Sequence, residues 1–136
     1  MNLVSIRIIT GDVKRLLDFY GQVTGITGVQ YTEDFAEIQS GSATLAIGST
    51  RTLAFFGGDE VAKAAHNRSA IIEFMVKDVD AIYNRIAGLI QPELIQEPTT
   101  MPWGNRSLLF RDPDGNLVNF FTPVSPEAVK KYSGLK

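Results

Sequence analysis

The chain has 136 residues, of which 44% are hydrophobic and 21% charged, a composition typical of one globular domain with its own core. Thirteen basic and fifteen acidic side chains give a net charge of −2, so there is no electrostatic basis for binding a nucleic-acid backbone. The lack of cysteine excludes disulfides, thiolate nucleophiles and cysteine metal sites, and no apolar run approaches the roughly 20 residues that span a bilayer.

The first residues do not resemble a signal peptide. They contain no long apolar stretch, and Arg7 stands among apolar side chains. We therefore expect a cytoplasmic protein that binds neither a membrane nor a nucleic acid.

The first half of the chain predicts a strand, a helix and three more strands. Residues 3–9 alternate as a β-branched strand, and Asp12 can cap a helix that carries apolar residues at three- to four-residue spacing. Gly25 and Gly28 end that helix. Three short strand-like runs follow within residues 29–48, separated by turn residues.

The same order returns in the second half. Residues 71–76 predict a strand, and Asp78, 66 positions after Asp12, can cap a second amphipathic helix. Farther along, Gly41 corresponds to Gly115, so the offset grows to 74 and the second half contains an insertion. Prolines and Trp103 make this insertion, residues 92–103, look like a loop. Strands at 107–111 and 117–122 follow, joined by a turn.

Two explanations of this repetition are open: chance similarity between two amphipathic strand–helix units, and an internal duplication. Identical Asp-Val helix starts and matched glycines favour duplication. The predicted organisation is a single domain, 1–136, with modules at 3–50 and 69–123, a linker at 51–68 and a terminal helix at 125–133. Ser125 and Pro126 supply the cap and the first position of that helix.

In this order the motifs resemble the vicinal oxygen chelate superfamily, which includes glyoxalase I, extradiol dioxygenases, fosfomycin-resistance enzymes and bleomycin-resistance proteins. The resemblance covers residues 3–123. The segments that carry it are Gly11-Asp12-Val13, Asp18-Phe19-Tyr20, Thr24-Gly25, residues 76–80, residues 102–106 and residues 110–118. It implies an α+β fold in which two βαβββ modules form a curled, cup-shaped mixed sheet, usually within a homodimer.

Enzymes of this family hold one divalent metal with four side chains drawn from His, Glu and Gln. The resemblance places these positions at Ser5 and Ile71 in the first strands and at Asn119 in the last strand. Leu45 is the fourth, because it follows Gly41 at the spacing that separates Asn119 from Gly115. A hydroxyl, two hydrocarbons and a neutral amide do not hold a divalent cation tightly, so we expect no metal and no cofactor.

Polar and aromatic residues near these positions are candidates for ligand contact. Side chains two apart on a strand share a face, so Arg7 lies beside Ser5, and Phe121 beside Asn119. Glu73 lies 66 positions after Arg7, so the two residues occupy equivalent positions in the two halves. A charge on an apolar face is costly unless it is paired, so these two residues either pair with each other or orient a polar ligand. Glu73 is also a weak candidate for a general base.

Two aromatic residues extend the candidate site. Trp103 in the insertion can cover a planar ligand or plug the junction between the modules, and Phe56 in the linker can contact a ligand or pack as part of an edge strand. The predicted ligand-binding residues are Ser5, Arg7, Phe56, Glu73, Trp103, Asn119 and Phe121.

The sequence supports two functions. The first is a glyoxalase/bleomycin-resistance-like protein that binds a small, partly apolar or aromatic molecule in a metal-free cup, as a homodimer. The alternative is a lyase, isomerase or dioxygenase-type enzyme of the same superfamily, either metal-independent or with atypical ligands. The missing metal ligands favour the first.

Overall fold

The computed structural model describes residues 1–135, and these contain two four-stranded mixed sheets, each with a helix on one face. They divide into two compact units, residues 1–67 with 113–115, and residues 68–112 with 116–135. The predicted α+β fold of two βαβββ modules is confirmed. No helix in residues 1–135 is both long enough and apolar enough to cross a membrane.

The first unit follows the predicted element order. Its elements are β1 (Ser5–Thr10), α1 (Val13–Thr24), β2 (Val29–Thr32), β3 (Phe35–Gln39), β4 (Thr44–Ser49) and a 3₁₀ helix (Thr50–Phe55). The sheet order is β1-β4-β3-β2, with β1 parallel to β4 and the other pairs antiparallel. Helix α1 begins where the Asp12 carboxylate accepts from the Arg15 N–H at 3.0 Å, and it ends at Gly25 in the left-handed region, φ 73°.

Helix α1 covers one face of this sheet, which we call the helix face of the first sheet. The side chains that pack there are at most 7% exposed; they are Val13, Leu16, Tyr20 and Val23 from α1, and Ala36, Ile38, Leu45 and Ile47 from β3 and β4. Burial of these side chains is the main stabilising contribution to this half, since each large aliphatic side chain removed from water contributes about 1.5–3 kcal/mol.

The second unit repeats the arrangement. Its elements are β5 (Ile71–Met75), α2 (Val79–Ile90), a 3₁₀ turn (Gln91–Glu93), β6 (Leu94–Thr100), β7 (Asn105–Arg111), β8 (Leu117–Pro123) and α3 (Pro126–Tyr132), with sheet order β5-β8-β7-β6. Asp78 caps α2 by accepting from the Ala81 N–H at 3.1 Å. Under α2, the Phe120 ring meets Phe74 at 5.5 Å and Phe110 at 5.1 Å, both edge to face.

The insertion is not the predicted loop, because residues 94–100 form β6. Pro98 lies inside this strand, where a missing N–H is tolerated because β6 is at the edge of its sheet. The pairing of β6 with β7 is irregular, with register shifts on both sides of Gln96. One of the two interpretations of Phe56, that it packs as part of an edge strand, is wrong. Phe56 follows the 3₁₀ helix and lies in no strand.

Candidate functional site

The face of the first sheet opposite α1 carries a row of charged and aromatic side chains. Arg7 on β1 and Glu37 on β3 both stand opposite Ala46 on β4, so all three share this face. We call it the Arg7 face; its members are Ser5, Arg7, Ile9, Val29, Tyr31, Phe35, Glu37, Gln39, Thr44, Ala46 and Gly48.

Arg7 lies against two phenylalanine rings. Its guanidinium carbon is 4.5 Å from the ring centroid of Phe35 and 5.3 Å from that of Phe56, and both are within the cation–π range. The Tyr31 ring stacks on Phe35 with centroids 5.7 Å apart. Within residues 1–67 the guanidinium makes no hydrogen bond and no ion pair, so its N–H donors are not used by its own unit.

Glu37 has polar partners of its own. Its Oε1 accepts from the Tyr31 hydroxyl at 3.0 Å and from Gln39 Nε2 at 2.9 Å. The hydrogen bond to Glu37 raises the pKa of the Tyr31 phenol, because ionisation would place an oxyanion beside a carboxylate. Tyr31 is therefore a neutral donor that fixes the position of Glu37.

The second sheet has a corresponding surface. Glu73 on β5 stands opposite Asn119 on β8, as Arg7 stands opposite Ala46 in the first sheet. We call this surface the Glu73 face; its members on β5, β7 and β8 are Ile71, Glu73, Met75, Asn105, Ser107, Leu109, Arg111, Leu117, Asn119, Phe121 and Pro123.

Asn119 holds the Glu73 carboxylate in position. Its Nδ2 donates to Glu73 Oε2 at 2.8 Å, and this contact fixes the amide orientation, because only the amide nitrogen can donate to a carboxylate. Asn119 is 9% exposed, and its Oδ1 has no hydrogen-bond partner in the part of the chain that the structure describes. Glu73 itself is exposed. The two predicted residues are thus brought together by an interaction that the sequence did not indicate.

Phe121 is not accessible for the ligand contact that the sequence predicted. Its ring lies 5.2 Å from the ring of Tyr132 on α3, and the side chain is only 6% exposed. Helix α3 therefore covers this end of the Glu73 face. The cap at Ser125 predicted the helix, but no local signal in the sequence showed which surface it packs on.

Trp103 lies in the turn between β6 and β7, and 67% of it is exposed. The turn is fixed by Gly104, whose carbonyl accepts from the backbone N–H groups of Val124 and Ser125 at 2.8 and 3.0 Å. Gly104 has φ 93°, and a side chain there would collide with Ser125, so only glycine fits. The indole is thus held out on a rigid turn and is not a core side chain.

One predicted metal position needs correction. Leu45 stands opposite Ile6 and Ile38, on the helix face, and not on the face of Ser5. The position equivalent to Asn119 is Ala46, because the loop after Gly41 is one residue longer than the loop after Gly115.

The side chains at the family's metal positions do not fit a divalent metal. With Ala46 in place of Leu45, the set offers one hydroxyl, one amide and two hydrocarbons, and none of these is the imidazole or carboxylate that such a site needs. Among residues 1–135, no three side chains of the types His, Asp and Glu come together in a way that could hold a metal ion.

Paired βαβββ modules, each with its helix on one face of a mixed sheet, define a glyoxalase-like protein. Residues 2–120 match the profile of the Glyoxalase/Bleomycin resistance protein/Dioxygenase superfamily, and the chain belongs to this family. The resemblance noted in the sequence is therefore confirmed.

Relatives match nearly the whole chain, in sequence or in structure. The Uncharacterized protein YraH of Bacillus subtilis is 26% identical over 125 residues, which cover 89% of this chain and 98% of YraH. A protein of unknown function from Agrobacterium tumefaciens is 27% identical, with a TM-score of 0.75 and coverage of 90% and 94%. A glyoxalase/bleomycin resistance protein/dioxygenase family enzyme from Burkholderia phytofirmans has a TM-score of 0.79 at 18% identity, covering 91% of this chain and all of its own.

Proposed function

We propose that this chain binds a small, partly apolar or aromatic molecule without the help of a metal. The observation that carries the proposal is the Arg7 face, where a guanidinium without a polar partner in its own unit lies over the rings of Phe35 and Phe56. Ligand sites typically combine apolar and aromatic contact area with a few polar groups that fix the orientation.

The exposure of the rings supports this role. Tyr31 and Phe56 are 55% and 56% exposed, although aromatic side chains of this size usually bury most of their surface. Exposed aromatic rings grouped around a charged group are typical of a binding surface.

The alternative function is an enzyme that uses Glu73 as a general base. One observation favours it: the carboxylate is exposed and is oriented by Asn119 at 2.8 Å. A positioned, accessible carboxylate is the group that proton abstraction requires. Turnover of a library compound by the native chain, lost in Glu73→Gln with binding retained, would establish this alternative.

The experiment for the binding function is a thermal-shift screen of small aromatic and apolar compounds, run with and without divalent metals. A compound that binds the folded state raises the melting temperature by mass action, and the function predicts hits whose shifts do not require a metal. A folded protein that is stabilised by no compound, or only by a divalent metal, would contradict the proposal.

Trp103 provides a second measurement, because it is the only tryptophan in the chain. We propose the exposed indole as a ligand contact, so a hit should change its fluorescence, and Trp103→Ala should weaken binding by about 1–3 kcal/mol. Unchanged affinity in this variant would show that Trp103 does not contact the ligand.

We also propose that the chain forms a homodimer. Three apolar residues in and before the edge strand β1 are exposed: Leu3 by 82%, Val4 by 65% and Ile6 by 56%. Edge strands with exposed apolar side chains are normally covered by another surface, and two-fold dimers are the commonest assemblies. Light scattering at tens of micromolar should give twice the chain mass; the mass of one chain would refute the dimer.

A further inference from the structure

We propose that the Arg7 face recognises the carboxylate of a planar aromatic acid. This inference rests on the proposed binding function and adds the chemical class of the ligand. It follows from three features of the face: the N–H donors of Arg7 that have no partner within residues 1–67, Arg7 as the one cation among the residues that define this face, and the exposed rings of Tyr31 and Phe56.

Arg7 has N–H donors that a ligand can use. Its guanidinium carbon lies over the rings of Phe35 and Phe56, and within residues 1–67 no group accepts a hydrogen bond from it. Two of these donors match the two oxygens of a carboxylate in a bidentate contact. The rings also restrict the guanidinium, so that less conformational entropy is lost when the ligand binds.

The charge balance of the face favours a monoanion. Glu37 lies in the same row as Arg7, with Ala46 between them, so a dianionic phosphate would face a carboxylate as well as the single arginine. Ser5 and Thr44 stand directly opposite each other one row away and add neutral hydroxyl groups. One cation with a carboxylate in the same row and neutral hydroxyl groups nearby suits a monoanion such as a carboxylate better than a dianion.

The aromatic rings of this face favour a ligand that carries an aromatic ring besides its carboxylate. Phe56, Arg7, Phe35 and Tyr31 are in successive contact, and the two outer rings are each more than half exposed. A ligand whose carboxylate reaches Arg7 can place its own ring against one of them. Such an aromatic contact contributes beyond the buried area alone, so a planar acid should bind better than an aliphatic one of similar size.

The test is isothermal titration of the native chain with 2-naphthoate and with three matched probes: 2-naphthamide, 2-naphthyl phosphate and cyclohexanecarboxylate. The acid should bind most tightly. Losing a charge-assisted contact weakens binding by about tenfold to a hundredfold, so the neutral amide should fall in that range. Arg7→Gln should reduce the affinity for the acid by a similar factor, and Arg7→Lys by less, because lysine keeps the charge but not the bidentate geometry.

Arg51→Gln is the matched control, since it removes one positive charge from the same unit. Arg51 bonds Asp34 and lies off the Arg7 face, so its variant should bind 2-naphthoate as the native chain does. Melting curves of all variants identify any that fail to fold, and Arg7→Lys keeps the test valid if Arg7→Gln is one of them.

The outcomes separate this inference from the proposed function. Equal affinity for the acid and the amide, tighter binding of the phosphate, or equal loss in Arg51→Gln would overturn the carboxylate assignment. In those cases binding would still be observed, and the proposed function would stand. No binding of any of the four probes by folded protein would also overturn the assignment, while hits from the wider thermal-shift screen would decide the function separately.

Discussion

Asn119 donates a hydrogen bond from Nδ2 to Glu73 Oε2 at 2.8 Å, across the parallel pair β5–β8. In the family's metal enzymes a metal ligand occupies the position of Asn119. In this chain the residue instead holds a neighbouring carboxylate through a neutral amide. The last strand of the second module therefore retains a polar position, but its partner is a side chain of the protein.

Asn119→Asp should destabilise the protein at neutral pH. The change replaces a donor with a second carboxylate next to Glu73, and the loss of the contact together with like-charge repulsion should cost about 1–3 kcal/mol in free energy of unfolding. The cost should shrink as the pH falls and the carboxylates become protonated. Urea unfolding at neutral and at acidic pH measures both effects.

The control is the swapped pair, Glu73→Gln with Asn119→Asp. It places the amide on β5 and the carboxylate on β8, so one donor again faces one acceptor and most of the lost stability should return. If the double variant were no more stable than Asn119→Asp alone, the hydrogen bond would not be the reason for the loss.

The parts of the fold that were predictable are those set by local chemistry. Asp12 and Asp78 each predict the start of a helix, because an aspartate before an apolar pattern of 3.6-residue period caps the first turn. This signal is local and does not depend on the rest of the chain. Strand β6 was missed because Pro98 is read locally as a strand breaker, whereas its place at a sheet edge makes it acceptable.

The candidate site was predicted less well, because it depends on register and on distant contacts. Counting from Gly41 selected Leu45, but one extra loop residue shifts the position to Ala46 and so to the other face of the strand. The rings around Arg7 come from β3 and from the residue after the 3₁₀ helix, and only the folded chain brings them together. Phe56 was predicted; Phe35 and Tyr31 were missed.

If the two halves are structural repeats, the caps Asp12 and Asp78 should contribute equally to the free energy of unfolding. Asp12 and Asp78 have nearly the same backbone angles, φ −147° with ψ 90° and 97°, and each accepts from the third residue of its helix. Asp12→Ala and Asp78→Ala should each lower the free energy of unfolding by about 0.5–2 kcal/mol, and Asp→Asn at either position by much less. Chemical denaturation measures the four variants; a cost at only one cap would contradict the equivalence.

Tyr132→Ala should destabilise the protein through its contact with Phe121. The two rings are 5.2 Å apart and Phe121 is buried, so truncation removes an aromatic pair and exposes the ring beneath it, at a cost of about 1–3 kcal/mol. Val129→Ala is the control in the same helix, because Val129 is 51% exposed and should cost little. Equal melting temperatures for the two variants would show that α3 does not pack on this face in solution.

The ion pair of Asp80 with Arg106 should contribute to stability at neutral pH and be lost in acid. The hydrogen bonds from the guanidinium, 2.9 and 3.0 Å long, lower the pKa of the Asp80 carboxyl. A lowered pKa in the folded state means that the contribution is present above the ordinary pKa of the group and disappears as the pH falls through the folded value. The difference in urea midpoint between the native chain and Asp80→Asn should therefore narrow as the pH falls below about 4, the ordinary pKa of an aspartate. Asp59→Asn, which makes the same charge change at an exposed residue, is the control for the loss of charge alone.

The last prediction concerns the two charges that the sequence placed at equivalent positions. A buried ion pair between Arg7 and Glu73 would make either alanine variant lose several kcal/mol, because the remaining charge would be left unpaired. Both residues are exposed; Arg7 lies over the rings of Phe35 and Phe56, and Glu73 accepts a hydrogen bond from Asn119. Arg7→Ala should therefore cost no more than about 1 kcal/mol in unfolding free energy, as is usual for an exposed charge. Glu73→Ala should cost about 1–3 kcal/mol, because it removes the hydrogen bond to Asn119. Arg7→Ala should lose affinity for 2-naphthoate while its free energy of unfolding stays nearly unchanged, because the proposed role of Arg7 is to contact the ligand and not to stabilise the fold. Large and equal stability losses in both variants, absent when both residues are replaced together, would instead establish the ion pair.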